Sequence, residues 1–247
     1  MKRFIGALFV TSIAFGYGRA DDQASATVDK GIKALGGEEK LGKAKAFTWK
    51  GKGAINFGGN ENAFTNQATH QGLNQYRGEF EGDFMGNKFK GVTVLNDDKA
   101  WRRFGEDTMT LDKEALANEK RNVYLQIIPA TLVALKAKDF KLESAGEEKV
   151  GDKPAAVVKV TAPDGKDFKL YFAKDTGLPV KIVATVVGFM GDEAAQETTF
   201  GDYKDFGGIK KATKLETKRG GEKFMTQEIA EFKVLDSVDA KTFEEPK

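Results

Sequence analysis

The chain has 247 residues, with 39 basic and 37 acidic side chains, one histidine and no cysteine. That balance lacks the clustered basic excess of a nucleic-acid footprint, and without cysteine there are no disulfides and no cysteine-linked lipid anchor. A lone histidine, His70, leaves nucleophilic triads and zinc sites without the partners they need.

The first residues are Met1-Lys2-Arg3, then an apolar run from Phe4 to Tyr17, then Gly18-Arg19-Ala20 before Asp21-Asp22. A charged start, a short apolar stretch and small residues at the −3 and −1 positions predict a secretory signal over residues 1–20, cleaved after Ala20. The run is shorter than the ~20 residues that span a bilayer, and Gly6, Gly16 and Gly18 interrupt it. Cleavage removes Lys2, Arg3 and Arg19 and leaves 36 basic against 37 acidic residues. Residues 21–247 contain no Pro/Ser-rich linker, so a single domain is expected.

Residues 24–43 open that domain. Val28, Ile32 and Leu35 recur at helical spacing, Gly36-Gly37 supplies a stop, and a short turn over 38–42 carries Leu41. From Ala44 the period changes to two. Phe47, Trp49, Gly51, Gly53, Ile55 and Phe57 share one face, with Thr48, Lys50, Lys52 and Asn56 on the other. The inward prediction is therefore Phe47, Trp49, Ile55 and Phe57. Tyr76, Phe80 and Phe84 line the next clear run, opposite Gln75, Arg77, Glu79 and Glu81. Strands over 89–95 and 101–104 follow, separated by Asn96-Asp97-Asp98.

A helical interlude comes next. Asp112 is placed to cap a helix striped by Leu116, Val123 and Ile127 and widened by Tyr124 and Ile128, which Pro129 is expected to break. After Asp139, turns at 151–152, 163–165, 175–177, 207–208 and 220–221 separate strand-like runs of roughly 8–12 residues. The fold class is mainly β (α+β): one curved antiparallel sheet of about ten strands, forming a half-open barrel plugged by the N-terminal helix and the mid-chain helical segment.

Few side chains offer chemistry. Glu79/Glu81 alternate with aromatics and belong to a solvated face, as does Glu147-Glu148. Asp97-Asp98 lacks the spaced ligands of a calcium loop. Gly51-Lys52-Gly53 sits in a strand without a following helix, where glycine serves curvature rather than a dinucleotide. No catalytic residue, metal or cofactor is assigned, and the protein is expected not to be an enzyme. The nineteen phenylalanines stand out. An apolar face left partly uncovered invites an apolar ligand, and the cavity candidates are Phe47, Trp49, Ile55, Phe57, Tyr76, Phe80, Phe84 and Trp101. Parity with Trp101 puts Arg103 on the same apolar side, at the rim of the mouth, where an unpaired guanidinium would be costly.

The run Leu170–Pro179 with its Asp175-Thr176-Gly177-Leu178 turn, then Tyr203, Gly208-Ile209, Phe243 and Pro246, resembles the outer-membrane lipoprotein-sorting proteins, a superfamily that includes the periplasmic lipoprotein carrier of Gram-negative bacteria. The opening helix, Ala34-Leu35-Gly36-Gly37 and the strand from Phe47 fit the same pattern. Relatives often place a proline soon after the Gly-Ile turn; here the residues are Lys210-Lys211-Ala212. The resemblance implies an exported periplasmic or extracellular protein, not lipid-anchored, that binds a lipid, acyl chain or lipidated protein in a half-barrel cavity. It also implies contact with envelope membrane components and, by analogy with the carriers' helix-contacting arginine, a mouth latch at Arg103. The alternative is a non-catalytic envelope interaction module with a fully packed core. Nucleic acid is not an expected partner, and the sequence does not fix an oligomeric state.

Overall fold

The structure is a computed structural model that describes residues 17–57, 59–84, 86–188 and 191–247; residues 1–16 of the expected signal, and the side chains of residues 17–21, Phe57 and Phe84, lie outside the described residues. Helix α1 (Tyr17–Leu35) and the short α2 (Glu38–Lys43) lead into six strands: β1 (Ala46–Phe57), β2 (Asn60–Gln71), β3 (Gln75–Phe84), β4 (Asn87–Asn96), β5 (Lys99–Phe104) and β6 (Asp107–Thr110). Helix α3 (Lys113–Thr131) and a 3-10 turn at Val133–Lys136 precede β7 (Lys141–Val150), β8 (Lys153–Thr161), β9 (Asp167–Ala173), β10 (Pro179–Val187), β11 (Glu193–Asp205), β12 (Lys210–Arg219) and β13 (Glu222–Leu235). A second 3-10 turn, Ala240–Phe243, ends the chain.

All described strands form one antiparallel sheet in the order β6-β5-β4-β3-β2-β1-β13-β12-β11-β10-β9-β8-β7. The first and last strands pair in the middle, and the two edges are β6 and β7, joined in sequence by α3. The sheet is not closed into a barrel. It has thirteen strands where about ten are expected from sequence. Strands β2 and β6 escape the pattern because their alternation is weak: β2 turns Asn62, Asn66 and His70 to the same side as Phe64 and Ala68. Between β1 and β13 the register shifts at Lys50/Gly51, the bulge that a glycine-rich strand permits.

The helices cover one face. Val28, Ile32 and Leu35 of α1, Leu41 of α2 and Val123, Ile127 and Ile128 of α3 join Phe47, Trp49, Leu95, Phe168, Leu170, Phe172 and Phe232 in one buried core. Asp112 caps α3 as the sequence indicates, its carboxylate accepting from Ala115 N at 2.9 Å. Pro129 does not end the helix. It lies in the last turn, where it removes a single backbone donor, and the helix continues to Thr131 before Leu132 turns left-handed (φ 61°). The outer face is not uniformly wet. Val92, Val94 and Trp101 pack against the fully buried Phe243 of the C-terminal turn, and Thr108 Oγ1 donates to the Pro246 carbonyl at 3.1 Å.

At the α1–α2 corner Gly36 has φ +144°, and a Cβ there would run into the Gly208 carbonyl in the β11–β12 turn. Gly42 in α2 has open space around it. Gly36→Ala should therefore cost roughly 1–3 kcal/mol in urea denaturation, whereas Gly42→Ala should be neutral or stabilising by about 0.5–1 kcal/mol.

Candidate functional site: the seam under helix α3

Helix α3 connects the two edges of the sheet, so it crosses the mouth of the half-barrel. Its fastenings come from consecutive residues. At about 100° per residue, positions two apart on a helix point to nearly opposite sides, and Glu119 and Arg121 use that geometry. Glu119 reaches β5, where Arg102 Nη2 donates to Glu119 Oε2 at 2.8 Å. Lys120 meets Asp98 at 2.8 Å. On the other flank Arg121 donates to the carbonyls of Thr185 (3.1 Å) and Asp167 (2.7 Å) and to Asp164 Oδ2 (3.3 Å). Glu119 and Arg121 are both buried. Each is an ionised group taken from water, stable there only while its partners hold.

Arg103 is not part of this clamp. Register pairs Arg102 with Thr93 and Trp101 with Val94, which puts Arg102 with Ala100 on the helix side and Trp101 with Arg103 on the outer side. Arg103 Nε donates to the nearby Gly105 carbonyl at 3.0 Å. The expectation for both residues is corrected by one step of parity: Trp101 is buried as expected, but against the C-terminal turn rather than the cavity. Glu119 is not among the sequence candidates, and the signal for it is its position three residues after Leu116 and four before Val123, on the apolar stripe itself.

The remaining candidates fall as follows. Phe47 and Trp49 are buried in the core, and Lys50 and Lys52 are exposed on the opposite face. Tyr76 packs against the same core beneath α3. Burial, the Glu119 charge and, against them, a hydrogen bond with Gln126 act on its hydroxyl, with the net effect of raising its pKa. Ile55 is half-buried farther along β1. Phe80 stacks on Phe64 (5.1 Å between ring centroids) and meets Phe89 edge-on (6.4 Å), and Phe89 meets Phe104 at 5.3 Å. These rings share the helix-side parity of β2–β5 but lie beyond α3, and the row reaches solvent at Phe89, 41% exposed.

Beneath α3 is a cavity of about 70 Å³, walled by Trp49, Leu125, Pro129, Phe200, Leu215 and Ile229 among others. Lys211 also lines it. Its ammonium lies over the rings of Trp49 (4.9 Å) and Phe232 (5.9 Å). On the far side of Trp49 stands His70, stacked at 4.6 Å and tilted against Tyr76 at 4.7 Å, fully buried with neither ring nitrogen hydrogen-bonded. Burial, then the Lys211 charge, hold His70 well below its ordinary pKa, so it is neutral. A larger open groove, about 640 Å³, runs across β1, β2, β12 and β13; Ala63, Phe64 and Leu215 line it together with Lys52, Glu81, Lys214 and Glu228, so it mixes apolar surface with charged groups. Among the described residues no group of His, Asp and Glu could hold a metal, and no helix is long and apolar enough to cross a membrane.

No family model matches the sequence, and no curated protein matches it. Solved structures do. A LolA superfamily protein from Nitrosomonas europaea superposes with a TM-score of 0.60 at 10% identity, covering 90% of this chain and 97% of that one. The fold is LolA-like. A DUF1329 family protein from Desulfovibrio piger (TM-score 0.56, 14% identity, 90% and 97% covered) and a putative outer membrane lipoprotein-sorting protein domain from Vibrio parahaemolyticus (0.55, 10%, 87% and 97%) share it. At these identities the likeness is one of architecture.

Two predictions follow from the seam. Arg102→Leu leaves the buried Glu119 carboxylate without its partner and should cost about 1–3 kcal/mol, with faster hydrogen exchange across 113–131; Arg103→Leu should change neither. Lys211 has a second signature. Burial brings its ammonium down to about 8, against ~10.4 in an unfolded chain. Between those values the unfolded state binds more protons, so stability rises with pH across that window and is lowest below pH 8. Lys211→Met should therefore stabilise the protein at pH 7 by roughly 1–3 kcal/mol, the difference closing near pH 10.5 in parallel urea titrations.

Proposed function

We propose that this is an exported, non-catalytic carrier that holds a hydrophobic ligand (a lipid, an acyl chain or a lipidated protein) between α3 and the inner face of the sheet. What carries the reading is the nature of the cover. Over the centre of an apolar, aromatic-rich face lies a helix whose flanks are tied by ion pairs and side-chain-to-carbonyl hydrogen bonds. Such contacts exchange for water at a net cost of about 0.5–3 kcal/mol each, so the flanks can release, and a ligand's apolar surface would replace the core contacts that Val123, Ile127 and Ile128 give up as the cover lifts. Beyond the helix, the Phe64–Phe80–Phe89–Phe104 row extends the apolar surface to solvent. The lipoprotein-sorting architecture of the Vibrio domain supports the same reading.

Export completes it. Cleavage after Ala20 would start the mature chain at Asp21-Asp22, leaving two carboxylates in the first turn of α1, where the helix dipole favours negative charge. The reading places the protein in the periplasm or outside the cell, facing envelope membranes.

The alternative, an interaction module with a packed core, has one observation in its favour: about 70 Å³ is roughly the room of two water molecules, so the seam is nearly closed. Mass spectrometry separates the two. The exported protein should have the intact mass of a chain starting at Asp21, and its organic extract should contain a lipid at near-stoichiometric amount. A protein that yields no lipid, and binds no hydrophobic fluorescent probe even as Arg102→Leu, would support the packed module instead.

A further inference from the structure

Other lysines of the sheet are exposed to solvent or meet carboxylates, as Lys159 does Asp167, Lys174 does Glu147 and Lys214 does Asp202. Lys211 does neither. It is 8% exposed, and among the described residues no carboxylate lies within ion-pair distance and no acceptor takes a hydrogen bond from it. No Asp or Glu lines the cavity it faces; the neutral polar groups on that wall include the Gln126 amide and the Thr198 hydroxyl. The rings of Trp49 and Phe232 support the ammonium by cation–π attraction, but rings do not neutralise a charge. A largely buried cation without its anion, its ammonium not wholly sealed from solvent, is a half-made ion pair.

We propose that Lys211 receives the head group of the carried molecule, and that the ligand is an anionic single-chain amphiphile, a long-chain carboxylate, with its head in the cavity and its tail along the seam beneath α3. This rests on the carrier reading and names its ligand class. Size selects the head. The closed cavity, about 70 Å³, takes a compact head such as a carboxylate without displacing its walls, whereas a glycerophosphate or sugar head would force them further apart. Charge selects against neutral lipids, because an uncharged head would leave the ammonium as it is now. The tail does not fit the closed seam, so α3 must lift as it enters.

The test measures binding of dodecanoate, dodecanol and dodecyl phosphate at pH 7 by displacement of a hydrophobic fluorescent probe, with wild type, Lys211→Met and, as a control on the outer face, Lys50→Met. Wild type should prefer dodecanoate to dodecanol by about tenfold or more, the scale of one buried charge-assisted hydrogen bond. Lys211→Met, a variant expected to be the more stable at this pH, should bind the two equally, and Lys50→Met should keep the preference. If wild type binds dodecanol as tightly as dodecanoate, or Lys211→Met keeps the preference, the head-group assignment is wrong while the carrier reading stands. Tighter binding of dodecyl phosphate than of dodecanoate would also overturn it, through the size argument. If wild type binds none of the three, both readings fall together.

Discussion

A sheet with one large apolar face cannot leave that face to water, and this one has only a few turns of helix with which to cover it. The solution is topological. The strands run outward from a central β1–β13 pair, so the chain must travel from the β6 edge to the β7 edge to continue, and the segment that makes the journey is the one that closes the mouth. Connection and cover are the same element. Its underside supplies Val123, Ile127 and Ile128 to the core, while Glu119 and Arg121, pointing to opposite flanks, fasten it to each half of the sheet.

Much of this was legible in the residues. Strict alternation in β1 assigns Phe47 and Trp49 to the core and Lys50 and Lys52 to solvent, and the helical spacing of Val28, Ile32 and Leu35 marks α1. Legibility failed where a face is not defined by polarity. Strand β2 turns asparagines and the single histidine inward, so its pattern looks polar on both sides. Trp101 departs from the expectation that a large aromatic faces the helices because the outer surface of β4–β5 is itself covered by Phe243. That one inversion moved the mouth contact from Arg102 to Arg103. Lys211 was invisible for a different reason. It belongs to the run Lys210-Lys211-Ala212, which looks like a solvated turn, and only the three-dimensional packing of Trp49, Phe232 and α3 around the second lysine removes it from water.

The layer formed by Lys211, Trp49, His70 and Tyr76 shows how charge is managed inside this core. Trp49 lies between a cation and a neutral imidazole. The lysine lowers the proton affinity of the histidine, so the layer carries one positive charge rather than two. An isolated charge in such a place lowers stability, and a sequence selected for stability alone would replace it with an apolar side chain.

The central pairing of the first and last strands also governs the order in which the molecule can be assembled. A chain synthesised from its N-terminus can complete the β1–β6 meander early, since every pairing in it is between neighbours. Its β1 edge then stays open, with unsatisfied backbone donors and acceptors, until β13, the last strand made, arrives to pair with it. Long-range closure of this kind is slow, and an open strand edge is a template for pairing with other chains. The exposed lysines of β1 make the waiting edge a poor template for a foreign strand.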